Sequence, residues 1–184
     1  MVNLNKREIQ ELKKRLGDCD KKLPSILARS YNRASGKFKT EINKVTRKEY
    51  TIKSKDINST ITIKKATKSN LGAVVKSKGG MEPLTKYKVS PKTPNPVKPP
   101  KFFKAAVKKD GLKVIPKAFM ATYKGQDIAF QREGKERMPI NRLSGPAVPS
   151  ILDNKDNRKH AYKEATDMLY KRLDHEINRV LEGK

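Results

Sequence analysis

The sequence predicts an α+β fold: N-terminal helices, including one long basic amphipathic helix, and a C-terminal helix, packed on a mainly antiparallel β-sheet. Three observations predict it. Apolar residues recur in steps of three and four over residues 23–50 and again over 156–181, the period of a helix with one buried face. Between those stretches the period shortens to two, as in half-buried strands. The short strands follow one another without helical patterns between them, which favours antiparallel hairpins over βαβ units. A single domain over 1–184 then comprises a helical part (1–50), a β-rich part (60–143) with a proline-rich arm at 89–101, and the C-terminal helix (155–182).

The first helix spans residues 4–16. Leu4, Ile9, Leu12 and Leu16 form its apolar side, Asn5 caps it with Glu8 three residues on, and Gly17 ends it. GDCDKK then turns the chain into the long helix, and two helices joined so closely pack together. In that second helix Leu23, Leu27, Tyr31, Ala34, Phe38, Ile42 and Val45 make one apolar stripe, with Pro24 suited to the first turn and Gly36 the place where a bend is expected. A column of positive charge lies roughly a third of a turn away: Arg29, Arg33, Lys37, Lys44 and Arg47, with Lys48 beside them. Only Glu41 and Glu49 are acidic in this helix. Such a stripe is either a solvated face or a surface turned to phosphate.

Strands are expected at Thr60–Lys64, at Leu71–Lys76 (closed by Gly79-Gly80) and at 102–108. Two more, Ala118–Tyr123 and Asp127–Arg132, are expected around a Lys124-Gly125 turn. Residues 89–101 hold five of the eleven prolines, a density that prevents ladder pairing and predicts an exposed arm or long hairpin loop. Gly145-Pro146 and Pro149 punctuate residues 138–152 as a compact loop. The last helix runs from Asp156 to Leu181, with Ala161, Ala165, Met168, Leu169, Leu173, Ile177, Val180 and Leu181 on its apolar face. Its charges alternate in pairs such as Lys163/Asp167 and Asp167/Lys171.

Charge bounds the function. Lys+Arg number 44 against 19 Asp+Glu, a formal +25, which repels copies of the chain and attracts nucleic acid, an anionic membrane or acidic protein. Most of the bases are Lys, a point charge suited to phosphate, where Arg forks would read guanine edges. Catalytic, metal and cofactor sites are not indicated. His160 and His175 are fifteen residues apart on one helix, too far to share a metal, and each reads as a surface residue. The single cysteine, Cys19, lies between Asp18 and Asp20, which discourages a nucleophilic thiolate and leaves no intramolecular disulfide. No P-loop, GxGxxG or clustered carboxylates occur. No apolar run approaches the length of about eighteen residues that a membrane helix needs, and the N-terminus lacks a secretory apolar block. A chain without Trp is also poorly equipped to anchor on a membrane surface.

The order of segments resembles the tailed-phage minor tail protein Z family, whose members are also called tail completion proteins. The resemblance covers roughly residues 20–181 and rests on order, with no single diagnostic motif. A helix ends in a basic segment and Tyr50. Lys65-Ala66-Thr67 on a strand, Pro83-Leu84, Ala118-Phe119, Phe130-Gln131-Arg132, Pro139-Ile140, Gly145-Pro146, Val148-Pro149 and a closing helix follow. The proline-rich 89–101 segment departs from the family, which has a shorter passage there. The resemblance implies a structural virion protein at the head-proximal end of the tail, made in the host cytoplasm. It would sit in a six-fold ring of its own copies, between tail terminator or tube proteins and head connector proteins. Duplex DNA would pass through that ring, met by non-specific phosphate contact from Arg29, Arg33, Lys37, Lys44, Arg47 and Lys48; a neighbour with an acidic surface would meet the same charge. Subunit or partner contacts would fall on Pro91, Pro94, Pro96, Pro99 and Pro100 of the arm and on Arg142, Gly145, Pro146 and Pro149. The rival reading from composition alone is a soluble, sequence-independent nucleic-acid-binding protein, nucleoid- or ribosome-associated.

Overall fold

The computed structural model of the chain describes residues 4–98 and 100–183. It is 48% helical and 24% strand, so the mixed class is the observed one, and every strand pair is antiparallel. The strands divide into four small sheets. By their internal contacts the residues form two compact units: one built from the chain up to Ile42, Ile61–Ser77 and the chain from Asn154, the other from Asn43–Thr60 and Lys78–Asp153.

Helices dominate the first unit. Helix α1 (Lys6–Leu16) starts at the expected capping box: the Asn5 side chain accepts from the Glu8 N–H, and Glu8 accepts from the Asn5 N–H at 2.6 Å. Gly17 ends it with φ 51°, a conformation open to glycine, and a 3₁₀ turn over Gly17–Lys22 leads into α2 (Leu23–Glu49). Leu12 and Leu16 of α1 pack with Leu23, Ile26, Leu27, Tyr31 and Ala34 of α2, and with Leu169, Leu173 and Ile177 of the last helix, α5 (Lys155–Leu181). Cys19 is partly buried against this cluster. Polar contacts tie the outer edges. Arg15 pairs with Asp174 at 2.9 Å, and the Tyr170 hydroxyl donates to Glu8 at 2.5 Å. Strands β1 (Ile61–Lys64) and β2 (Val74–Ser77) form this unit's sheet. The residues after β1 dock on α2 through one side chain: Asn32 donates to the Ala66 carbonyl at 3.0 Å and accepts from the Ala66 N–H at 2.7 Å. One amide thus satisfies both polar groups of a backbone residue that pairs with no strand.

In the second unit, helix α3 (Ser54–Thr60) precedes β3 (Met81–Pro83), a 3₁₀ turn (Leu84–Lys86), β4 (Lys88–Ser90), β5 (Phe103–Ala106) and β6 (Lys113–Ile115). Next come β7 (Ala118–Tyr123), β8 (Gln126–Arg132), β9 (Ile140–Arg142), β10 (Ser144–Ala147) and helix α4 (Val148–Leu152). The sheets are β4-β5-β6, β7-β8-β9 and β3-β10. The β7–β8 hairpin turns as expected on Lys124-Gly125, both with positive φ (49° and 74°), the geometry whose twist matches paired strands. Ile52, Ile57, Leu84, Phe103, Ile128, Val148 and Ile151 are buried here.

Several expectations need correction. Residues 138–152 are not a loop: β9, β10 and α4 occupy most of them, because Ile140, Gly145, Val148 and Ile151 find neighbours to pair with or bury against. The second strand begins at Val74, leaving Leu71 exposed, and the third is confined to Phe103–Ala106. Helix α2 continues through Gly36, whose carbonyl accepts a hydrogen bond from the Thr40 hydroxyl at 3.0 Å. On α5, Leu181 is exposed and Met168 half-buried. Among the described residues no ion pair joins Lys163/Asp167 or Asp167/Lys171; Glu164, Asp174 and Glu176 of α5 pair with other helices, and Glu176 also with Arg172 of its own.

Two constraints lead to predictions. Gly145 lies buried beneath the Tyr87 ring, where an added Cβ would collide with Cε2 and reach 2.9 Å from Cδ2. The Tyr87 hydroxyl donates to the Pro146 carbonyl at 2.7 Å. Burial foremost, with the nearby Glu82 charge, pushes the Tyr87 phenol up to about 12. Gly145→Ala should therefore lower stability by about 1–3 kcal/mol, read as a shift in denaturant midpoint; an unchanged midpoint would mean that the ring moves freely. The second constraint is the Glu176 carboxylate, which has no solvent exposure and lies between Arg29 (2.9 Å) and Arg172 (2.5 Å). Burial by itself would raise its pKa. The Arg29 hydrogen bond and the Arg172 and Arg29 charges outweigh burial and hold it below the ordinary carboxyl value. A depressed folded pKa gives stability that is present above the ordinary value and lost as pH falls through the folded one. Glu176→Gln should cost about 1.5–3 kcal/mol at pH 7 and should flatten the stability profile on the acid side. A variant that loses stability equally at every pH would contradict this.

Candidate functional site

The basic stripe of α2 is less uniform than its sequence. In the first unit Arg29 is engaged by Glu176, and Lys37 by Glu41 (2.8 Å) and Glu164 (3.3 Å), whose hydrogen bonds raise the Lys37 pKa. Both bases thus serve partly to neutralise carboxylates. Arg33 is exposed and has no ion-pair partner among the described residues. In the second unit's share of the helix, Lys44, Arg47 and Lys48 are exposed. His160 approaches Glu41 at 3.9 Å, and both histidines lie on the surface. Glu176 was the residue that helical periodicity could have flagged. It follows Leu169 and Leu173 and precedes Val180 at steps of four, three and four, which puts a carboxylate on the buried stripe.

The proline-rich segment is the loop of the β4–β5 hairpin, since Lys88↔Ala106 through Ser90↔Lys104 are paired. Pro96 and Pro100 are exposed and Pro91 and Pro94 half-buried; Pro99 lies outside the described residues. Val97 (87% exposed) and Phe102 (54%) are large apolar side chains held in solvent. Arg142 is exposed on β9, and Pro146 and Pro149 are half-buried beside the buried Gly145.

Tertiary structure assembles one further feature from residues dispersed in sequence. A cleft of about 750 Å³ in the second unit is lined by three segments: Thr51 and Lys53; Thr85 to Val89 with Lys92; and Ala106 with Lys108, Lys109 and Gly111. Thr51 holds these segments in place. Its N–H donates to the Val107 carbonyl at 3.0 Å, its hydroxyl donates to the Ala106 carbonyl at 2.5 Å, and the same oxygen accepts from the Lys88 N–H at 3.0 Å. The Lys109 N–H donates to the Glu49 carbonyl at 2.8 Å, so the chain leaving α2 runs alongside the end of β5. Six lysines line the cleft and no acid does. Lys86 is paired with Glu82 (2.7 Å) and Asp56 (3.8 Å). Lys53, Lys88, Lys92, Lys108 and Lys109 are exposed, with Lys108 over the Tyr50 ring at 5.8 Å. Nothing in the sequence marks these lysines, which are spread over more than fifty positions and outnumbered by others.

Among the described residues no group of three or more His, Cys, Asp or Glu could hold a metal ion, and no helix is long and apolar enough to cross a membrane. The chain carries a formal net charge of +25, and its exposed chemistry is strongly basic. The model of the family described as prophage minor tail protein Z (GPZ) matches residues 7–182, and the chain belongs to that family. It is a structural protein of the phage tail, with other tail or head proteins as its partners. No curated protein and no solved structure matches it.

The stitching by Thr51 is testable. Thr51→Val keeps the shape, removes the hydroxyl and leaves the Lys88 N–H without its acceptor. A loss of about 1–3 kcal/mol is expected in chemical denaturation, with faster hydrogen exchange at the Lys88 amide. Unchanged exchange there would show that the hydroxyl does not hold β4.

Proposed function

We propose that this tail protein completes the head-proximal end of the tail and forms part of the head–tail joint and of the path that DNA takes out of the head. Copies assemble in the host cytoplasm as a six-fold ring, with tail terminator or tube subunits on one side and head connector proteins on the other. The observation that carries this reading is the +25 charge on a tail structural protein. Subunits so charged repel one another in a closed ring unless an anion lies among them, and duplex DNA on the ring axis is such an anion. Contact is with phosphate and independent of sequence. Arg33, Arg47 and Lys48 contribute from α2, while Arg29 and Lys37 are largely occupied by carboxylates. The 89–101 arm, with Val97 and the adjacent Phe102 in solvent, reaches a neighbouring subunit, and Arg142 with the half-buried Pro146 and Pro149 lies at a partner contact.

Particles from a phage or lysogen producing an epitope-tagged copy would decide the position. Antibody label should appear under the electron microscope at the junction of head and tail. Label at the distal tip, or particles lacking the protein, would reject the head-proximal reading.

A further inference from the structure

We propose that the lysine-lined cleft of the second unit is the main seat for the phosphate backbone of duplex DNA; this rests on the reading that the protein meets DNA and assigns the larger share of that contact to the cleft and the smaller to α2. Three features of the cleft favour phosphate. Its cations are all lysines, compact point charges carried by three separate chain segments and aimed around one concavity. Five of the six have no carboxylate partner among the described residues, so their mutual repulsion is uncompensated until an anion enters. The remaining lining is compatible with phosphate: Thr85 is a hydroxyl residue of the kind that contacts phosphate oxygens, the Thr51 hydroxyl is spent on the Ala106 carbonyl and the Lys88 N–H, and Tyr87, Val89 and Ala106 are buried. An acidic protein partner would need exposed aromatic or arginine anchors at the centre of its interface, because charge pairs at a solvated rim contribute little. The lining contains no arginine and no exposed aromatic side chain. The absence of base-reading forks likewise makes the contact indifferent to sequence.

The proline-rich hairpin belongs to this site too. Lys92, in its loop, lines the cleft beside Lys88 of β4, so the hairpin carries part of the positive wall.

The test uses the full chain and a fluorescein-labelled 30-base-pair duplex, with anisotropy measured over a range of KCl concentrations. Two triple variants remove equal charge: Lys53→Gln/Lys88→Gln/Lys109→Gln in the cleft and Arg33→Gln/Arg47→Gln/Lys48→Gln on α2. All six side chains are exposed, and matching circular dichroism and thermal midpoints verify the fold. The cleft variant should lose about tenfold or more in affinity near physiological salt, and its log–log salt slope should fall by about 3. The α2 variant should lose distinctly less. Equal losses in both, or a larger loss in the α2 variant, would overturn the cleft as the seat while leaving DNA contact in place. A wild-type protein that fails to bind duplex even at low salt would overturn both. Poly-glutamate supplies the last arm: if it binds the wild type more tightly than the duplex does and is lost in the cleft variant, the occupant is an acidic protein and the phosphate assignment falls.

Discussion

A carboxylate removed from water organises the helical unit. Glu176 has no solvent exposure, and an ionised carboxylate in that position persists only if cations and hydrogen bonds replace its hydration. Arg172 supplies one from its own helix, four residues away, and Arg29 the other from α2. The pair therefore sets which face of α2 lies against α5, and with it the burial of Ile26, Leu27 and Ile177. It also withdraws Arg29 from the charge available to a partner. Removing either arginine leaves part of a buried charge uncompensated, which makes this cluster a stronger constraint than the exposed Arg15–Asp174 pair at the edge of the same helices.

The β-rich unit depends on different devices, each a small polar group between short strands. Its strands run to between three and seven residues, too short to define a sheet by ladder bonds alone. Thr51 joins β4 to the end of β5, and the Tyr87 hydroxyl reaches the Pro146 carbonyl over a residue that must lack a Cβ. The lysine cleft is a consequence of the first device. Segments brought together by a threonine carry their exposed lysines with them, and the positive wall appears without any of those lysines being neighbours in sequence.

The charge of this family member thus separates into two kinds. Some bases neutralise buried or half-buried carboxylates, as Arg29, Lys37, Lys86 and Arg172 do. Others stand in solvent with no acid against them among the described residues, as Arg33 and the five cleft lysines other than Lys86 do. Only the second kind is available to a polyanion. On the proposal that DNA passes through this protein, contacts of that sort, individually weak and sensitive to salt, would suit it, because a lining that held DNA tightly would retard its movement.

Periodicity in the sequence was sufficient for the long elements: the Asn5–Glu8 box, the apolar stripe from Leu23 to Val45, the Lys124-Gly125 turn and the face from Ala161 to Ile177 all follow from local rules of helix and hairpin geometry. The order of its segments was sufficient to indicate the family. Strands of three residues such as β3, β4, β6 and β9 have too few positions to show a period, and Gly145-Pro146 reads as a turn until its pairing with β3 is seen. Which bases of α2 are spent and which remain was decided only by the tertiary structure. So were the burial of Glu176 and the gathering of Lys53, Lys88, Lys92, Lys108 and Lys109 around one cleft. The physical reason is the same in each case: whether a charge is paired, buried or exposed depends on groups far away in the chain, and local sequence carries no record of them.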